Sequence, residues 1–155
     1  MAGIYSQVYV QVILAVKKRE HLIPKGNREE LFDHIADIIR KNGQKPIIVN
    51  GFASHVHAFL GITPEVTISN LVRIMKTGSA GFINRKQWVK PKFSWQPGFG
   101  VFSYSHSQVE CVFKYLRNQE NFHGKTTFRD EFREFLKRFT VEFREDQLFD
   151  WIDGD

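Results

Sequence analysis

Residues 46–62 read PIIVNGFASHVHAFLGI, two apolar runs that meet at Asn50-Gly51. "PIIVNGF" and "SHVHAFLGI" have the length and β-branched or aromatic content of short strands, and Asn-Gly between them is a hairpin signal. A hairpin in mid-chain asks what flanks it. Upstream, Val8, Val10, Val12, Leu14 and Val16 alternate with other residues, the period of a strand with one face to a core, and "KKRE" ends it. Asn27 with Glu30 three residues on fits a helix N-terminal cap; Leu31, Phe32, Ile35, Ile38 and Ile39 then follow helical spacing until "KNG" stops the helix. Downstream, a second helix begins near Thr67 and carries Leu71, Val72, Met75 and Phe82, with Gly78 and Gly81 blurring its end. "GFGVFSYS" gives a fourth strand. Ser107-x-x-Glu110 has the form of a capping box opening a third helix with the stripe Val109, Val112, Phe113, Leu116. A last helix from about Thr127 buries Phe128, Phe132, Phe135, Leu136 and Phe139. The order is β-α-β-β-α-β followed by helices. It predicts an α+β, ferredoxin-like split plan: an antiparallel sheet with helices on one face, plus C-terminal helices. That plan hosts many functions, so the site must decide.

The 155 residues fit one domain, 1–155, with ordinary globular proportions of 42% hydrophobic and 25% charged residues. The formal net charge of +5 admits a polyanionic partner without requiring one. A single cysteine, Cys111, excludes an internal disulfide framework and a cysteine-based zinc site. The start "MAGIYSQVYVQ" lacks the basic-then-apolar order of a signal peptide, and no apolar run approaches the ~20 residues of a membrane span. The expectation is a soluble, cytoplasmic protein without a membrane partner.

Residues two apart in a strand point to the same side, so His55 and His57 face one way and Val56 and Ala58 the other. Two imidazoles so placed can converge on one cation. They can equally be half-buried strand histidines hydrogen-bonded to neighbours, and a catalytic metal normally needs a third ligand plus open positions. The helix in "SQVECVFKYLRNQENFHG" offers one: Tyr115 and Gln119, four apart, share a face that flanks the core stripe. Either alone reads as a packing or solvated residue. The combination is more informative: a same-face histidine pair, and a helix offering a phenol beside an amide oxygen.

These residues resemble the single-tyrosine HUH transposases of bacterial insertion sequences, including the REP-associated tyrosine transposases; U stands for a bulky apolar residue, and "HVH" fits. The likeness extends through "ISNLVRIMK" and "WQPGFGVFSYSHSQVECVFKYLRNQENFHGKTTFRDEF" to the acidic-aromatic tail. The resemblance implies that His55, His57 and Gln119 hold a cation, Mg2+ or Mn2+, and that Tyr115 is the nucleophile. The imidazoles alone would point first to zinc. It also implies a DNA strand transferase that cleaves and rejoins single-stranded DNA through a 5′-phosphotyrosine, recognises hairpin-bearing ends, and works as a homodimer whose tyrosine helix can complete the partner's histidine site. The family commonly has Asp where this chain has Ser54, and two adjacent histidines where this chain has "FHG"; only His123 matches the second, as a DNA or outer-shell contact.

A tyrosine ester conserves the energy of the phosphodiester bond so that it can be rejoined without ATP. Free tyrosine, with a pKa near 10, is a weak nucleophile at neutral pH, which is why a cation on the phosphate is needed. The candidate phosphate contacts are Lys17, Lys18, Arg19, Arg73, Lys76, His123 and Lys125, with salt-dependent affinity and no sequence choice expected from them. Trp88, Trp95 and Phe99 are placed in the core in preference to stacking on bases. The rivals are a domesticated REP-associated relative acting on chromosomal hairpin repeats, a non-catalytic nucleic-acid-binding module, and a structural metal protein. The chain lacks the aromatic signature of an RNA-recognition sheet.

Overall fold

A computed structural model describes residues 3–18 and 21–152, so Arg19 lies outside the described residues. The strands are β1 (Val8–Ala15), β2 (Lys45–Gly51), β3 (His55–Ile62) and β4 (Gly100–Tyr104). They form one antiparallel sheet in the order β2-β3-β1-β4. Helices α1 (Arg28–Lys41) and α2 (Ile68–Lys86) make the two crossovers. After β4 come α3 (Val109–Arg117), the short α4 (Gln119–His123) and α5 (Phe128–Arg138). The α+β, split β-α-β-β-α-β plan is the one the hydrophobic periods predict.

Alternation along the two central strands sorts side chains between two layers. Val10, Val12 and Leu14 of β1 and Val56, Ala58 and Leu60 of β3 pack against Leu31, Ile35 and Ile39 of α1 and Leu71, Val72 and Met75 of α2. The opposite face carries Ile13, Ala15 and Phe102, covered by Phe128, Phe132, Phe135 and Leu136 of α5. Phe59 meets Val112 and Leu116 of α3 on that face. Each fully buried Phe of α5 contributes about 1.5–3 kcal/mol relative to exposure. The C-terminal helices thus close the second face, and Trp95 joins the first core while Trp88 and Phe99 pack against it.

Four local expectations change. The hairpin does not turn at Asn50-Gly51, which still belong to β2: Gly51 pairs with Val56, and the turn is Phe52–Ser54. A side chain at Gly51 would place Cβ 2.3 Å from the His55 carbonyl oxygen, so the glycine serves close backbone approach. Helix α2 runs through Gly78 and Gly81 to Lys86; a Cβ at Gly78 would lie 2.7 Å from Ile38 Cδ1, so the missing side chain lets α1 pack close. The capping box after β4 is Ser105 with Gln108, two residues before the expected Ser107 with Glu110. Asn27 precedes α1 without a side-chain cap bond, whereas Thr67 and Thr127 accept from Asn70 N–H and Asp130 N–H.

Candidate functional site

β3 is flanked by β2 and β1, which places the histidines at the centre of the sheet: His55 opposite Ala15, His57 opposite Ile13. Both side chains are 0% exposed and face the layer under α3–α5. Burial there is secured by aromatics. His55 stacks on Phe128 with ring centres 3.9 Å apart, and Phe52 stacks on His123 at 5.4 Å.

Helix α3 ends at Arg117, and Asn118 breaks it from α4, so Tyr115 and Gln119 are not successive turns of one helix. They nevertheless reach one place. The Asn50 side chain donates to the Leu116 carbonyl at 2.8 Å, tying the end of α3 to β2. Gln119 is 0% exposed, with Oε1 3.1 Å from His55 Nε2 and 3.1 Å from His123 Nε2. Half-buried Tyr115 borders a cleft of about 320 Å³ lined by Tyr104, Cys111, Phe122, Glu134 and Arg138.

The residue sequence reasoning missed is Glu131, 3% exposed at the middle of the cluster. Its Oε1 lies 3.1 Å from His57 Nε2, 3.2 Å from His123 Nε2 and 3.4 Å from His55 Nε2. Its Oε2 accepts from the Tyr115 hydroxyl, and from Gln119 Nε2 at 2.9 Å. A signal existed: Glu131 is three residues after Phe128 and four before Phe135, an acid at the edge of an apolar helical stripe.

The outward ring atoms are also held. His57 Nδ1 donates to Gln11 Oε1 at 2.5 Å, and Gln11 Nε2 donates to Tyr104 Oη at 2.7 Å. His123 Nδ1 donates to the Thr126 carbonyl at 2.9 Å, and His55 Nδ1 meets Ser54 Oγ at 3.1 Å. Such partners orient metal-ligating imidazoles, and in neutral His57 and His123 they leave Nε2 as the inward lone pair. Ser54, where an acid was the expectation, is buried and fills this orienting place.

Electrostatics follow from burial. Desolvation lowers the His55 pKa to about 4, against the Glu131 hydrogen bond that raises it. Desolvation also pushes the Glu131 carboxyl up, but the charge of His57 and hydrogen bonds from His123, His55 and His57 outweigh this and hold it well below the carboxylate range. The Tyr115 phenol is driven far above its ordinary value by desolvation first, then by the neighbouring Glu131 charge. One ring nitrogen from each of His55, His57 and His123 and one Glu131 oxygen lie within 4.8 Å of one another, a set able to hold a metal ion. The chemistry of the donors fits a divalent cation: inward lone pairs, an amide oxygen and a carboxylate converge in a dry pocket.

The basic residues are not gathered here. Lys17 and Lys18 are exposed at the end of β1, and Arg73 is exposed on α2, bonded to Asn70. Lys76 donates to the Gln96 and Gly98 carbonyls at 2.8 and 2.6 Å, and desolvation lowers its pKa. Exposed Lys125 borders the site, in a shallow recess with Phe52, His123 and Phe128.

Comparison with known proteins places the chain among transposases. The ISDra2 transposase TnpA of Deinococcus radiodurans is 26% identical over 124 residues, covering 77% of this chain and 89% of the relative. A solved protein from Deinococcus radiodurans described as a transposase superposes with a TM-score of 0.60 at 24% identity, over 77% of this chain and 95% of its own. A REP-associated tyrosine transposase solved bound to a REP hairpin superposes with a TM-score of 0.59 at 14% identity, over 99% of this chain and 93% of its own. The family model for IS200-like transposases matches residues 4–119, from before β1 through Gln119, and the chain belongs to that family.

Proposed function

We propose that the protein is a metal-dependent transposase of single-stranded DNA that cuts and rejoins strands through a 5′-phosphotyrosine on Tyr115, at ends marked by hairpins. One observation carries the reading: the Tyr115 hydroxyl, the His55 and His57 Nε2 atoms and the Gln119 Oε1 converge on one buried cluster. In the step, Tyr115 Oη forms a bond to phosphorus as the bond from phosphorus to the 3′-oxygen breaks; the phenol gives up a proton and the 3′-oxygen leaves as a hydroxyl. Rejoining is the reverse.

His55, His57 and Gln119 would hold Mg2+ or Mn2+, with His123 and Glu131 beside them. Such an ion polarises the scissile phosphate and takes up charge from the leaving oxygen. The chain's own contribution is positioning. Gln11 and Ser54 orient the imidazoles, Phe128 holds the His55 ring flat, and α3 carries the phenol to the mouth of the cleft. Lys125, with Lys17, Lys18, Arg73 and Lys76 farther off, supplies phosphate contacts. The link from Tyr115 through Glu131 to the histidine pair of the same chain supports a site assembled in cis; in a homodimer the same helix would serve the partner's pair.

A domesticated relative acting on chromosomal hairpin repeats is the second reading. It is favoured by the extent of structural likeness, which reaches 99% of this chain for the REP-associated protein and 77% for the Deinococcus one. Helix α5 lies beyond the IS200-like match at 4–119. Element ends flanking the gene, present or absent, separate the two.

The test mixes the protein with single-stranded DNA from the gene's flanks, with and without Mg2+ or Mn2+, on a denaturing gel. A covalent protein–DNA band that needs the cation and disappears in Tyr115→Phe is the expected result. Tight binding with no adduct from any flank would favour a non-catalytic binding module.

A further inference from the structure

We propose that Glu131 is the anionic ligand of the cation site, and that its second carboxylate oxygen holds the Tyr115 hydroxyl, so that one side chain couples the metal to the nucleophile. This rests on the reading of the His55/His57 cluster as a cation site, and it adds a residue that lies outside the 4–119 family match.

The hydrogen-bond inventory carries the argument. The Thr126 carbonyl can only accept, so His123 Nδ1 bears the proton and His123 Nε2 presents a lone pair inward. The Gln119 amide nitrogen faces the Glu131 carboxylate, which also can only accept, so Gln119 Oε1 is the atom turned to His55 and His123. With Gln11 Nε2 spent on Tyr104, Gln11 Oε1 takes the His57 Nδ1 proton. With the imidazoles neutral, the inward nitrogens of His57 and His123, Gln119 Oε1 and Glu131 Oε1 are all acceptors, at 3.1 to 3.2 Å from one another where they touch. Acceptors crowded at that spacing in a dry site repel unless a positive centre lies among them. A cation answers all of them together.

The identity of the donors narrows the ion. Imidazoles with Gln119 alone form a neutral set that leaves the full ionic charge buried. Glu131 cancels half of it, and two oxygen donors move the set toward Mn2+ and Mg2+. The fold secures the carboxylate for this purpose. Glu131 is in the first turn of α5, whose start is fixed by the Thr127 cap and whose Phe128 and Phe135 are locked into the sheet core. Glu131 Oε2, turned away from the imidazoles, receives Tyr115 and Gln119. Shifting the carboxylate would move both the metal pocket and the phenol.

The test is Mn2+ binding to the full chain, read by the electron paramagnetic resonance signal of free Mn2+, without DNA. Glu131→Gln is expected to weaken binding by more than about 100-fold, beyond the roughly 10- to 100-fold that loss of a group outside the ligand set costs. His57→Ala should lose binding. Circular dichroism melts in chelator check that each variant folds. If Glu131→Gln binds as tightly as wild type, or more tightly, while His57→Ala does not bind, Glu131 is not a ligand and the histidine site stands without it. If wild type itself takes up no Mn2+, the proposal falls with the metal site. Should Glu131→Gln fail to fold, wild type labelled with 13C-carboxyl glutamate decides: a strong Mn2+–13C coupling is expected, and its absence overturns the proposal. Glu131-dependent Mn2+ binding in a protein that forms no DNA adduct would uphold this proposal while removing the transposase reading.

Discussion

At the scale of single residues, the site is a contest between burial and charge. His55 is fully buried, and its imidazole titrates at about 4 against an ordinary value of 6.5. In the unfolded chain it takes up a proton as pH falls through 6.5, while the folded chain resists until about 4. Between those values the unfolded state binds more protons, so His55 contributes its full stability above 6.5 and loses it as pH drops. At about 1.4 kcal/mol per pH unit the loss is on the order of 3 kcal/mol. Glu131 does not offset it, because its depressed pKa places its own loss at still lower pH and with the same sign. Urea unfolding in chelator at pH 7, 5.5 and 4.5 should show stability falling through this window; a flat profile, or one rising toward acid, would contradict a neutral buried His55.

At the scale of elements, α5 decides whether the cluster exists. Its apolar stripe and its single inward acid are carried on one rigid unit, and its first turn depends on the Thr127 side chain accepting from Asp130 N–H at 3.1 Å. Thr127→Ala should cost about 1 kcal/mol of stability, and Thr127→Ser should recover most of it. Chemical denaturation of the three proteins checks this, and equal midpoints would show that the core phenylalanines alone fix the start of α5. Helix α3 shows the converse. Its stripe was legible and Val112 and Leu116 are buried as expected, but its end at Arg117 was not. Nothing in "YLRNQ" marks the break strongly; Asn118 stops the helix where Asn50 from β2 claims the Leu116 and Arg117 carbonyls, a partner 66 residues away.

At the scale of the whole molecule, the sheet separates structural work from chemistry. The face under α1 and α2 is apolar, and the face under α3–α5 holds the polar cluster. Among the described residues no helix is long and apolar enough to cross a membrane. The excess of basic residues is spread over the surface, with Lys125 in the recess beside His123. On the proposed reading, single-stranded DNA affinity should fall steeply as salt rises from 50 to 200 mM. Lys125→Ala should flatten a plot of log affinity against log salt by about 0.7, the value for one phosphate contact on a single strand. Fluorescence anisotropy with a labelled oligonucleotide measures both, and an unchanged slope would place Lys125 off the DNA path.

The sequence by itself determined the order of strands and helices, the shared face of His55 and His57, and the apolar stripe of α5, because each is written in a local period of two or 3.6 residues. It also pointed to Tyr115 and Gln119, through spacing and resemblance. It could not determine the turn at Phe52–Ser54, since Asn-Gly favours a turn only where the backbone is not already claimed by a ladder, and here Gly51 is paired with Val56. Nor could it place Glu131. A glutamate on a helix flank is ordinary until the helix docks, and what makes this one central is the packing of α5 across the sheet, which brings it to three imidazoles, one of them 76 residues away in the chain and all buried from water. Local periodicity settles which face a side chain takes; only tertiary packing settles what that face meets.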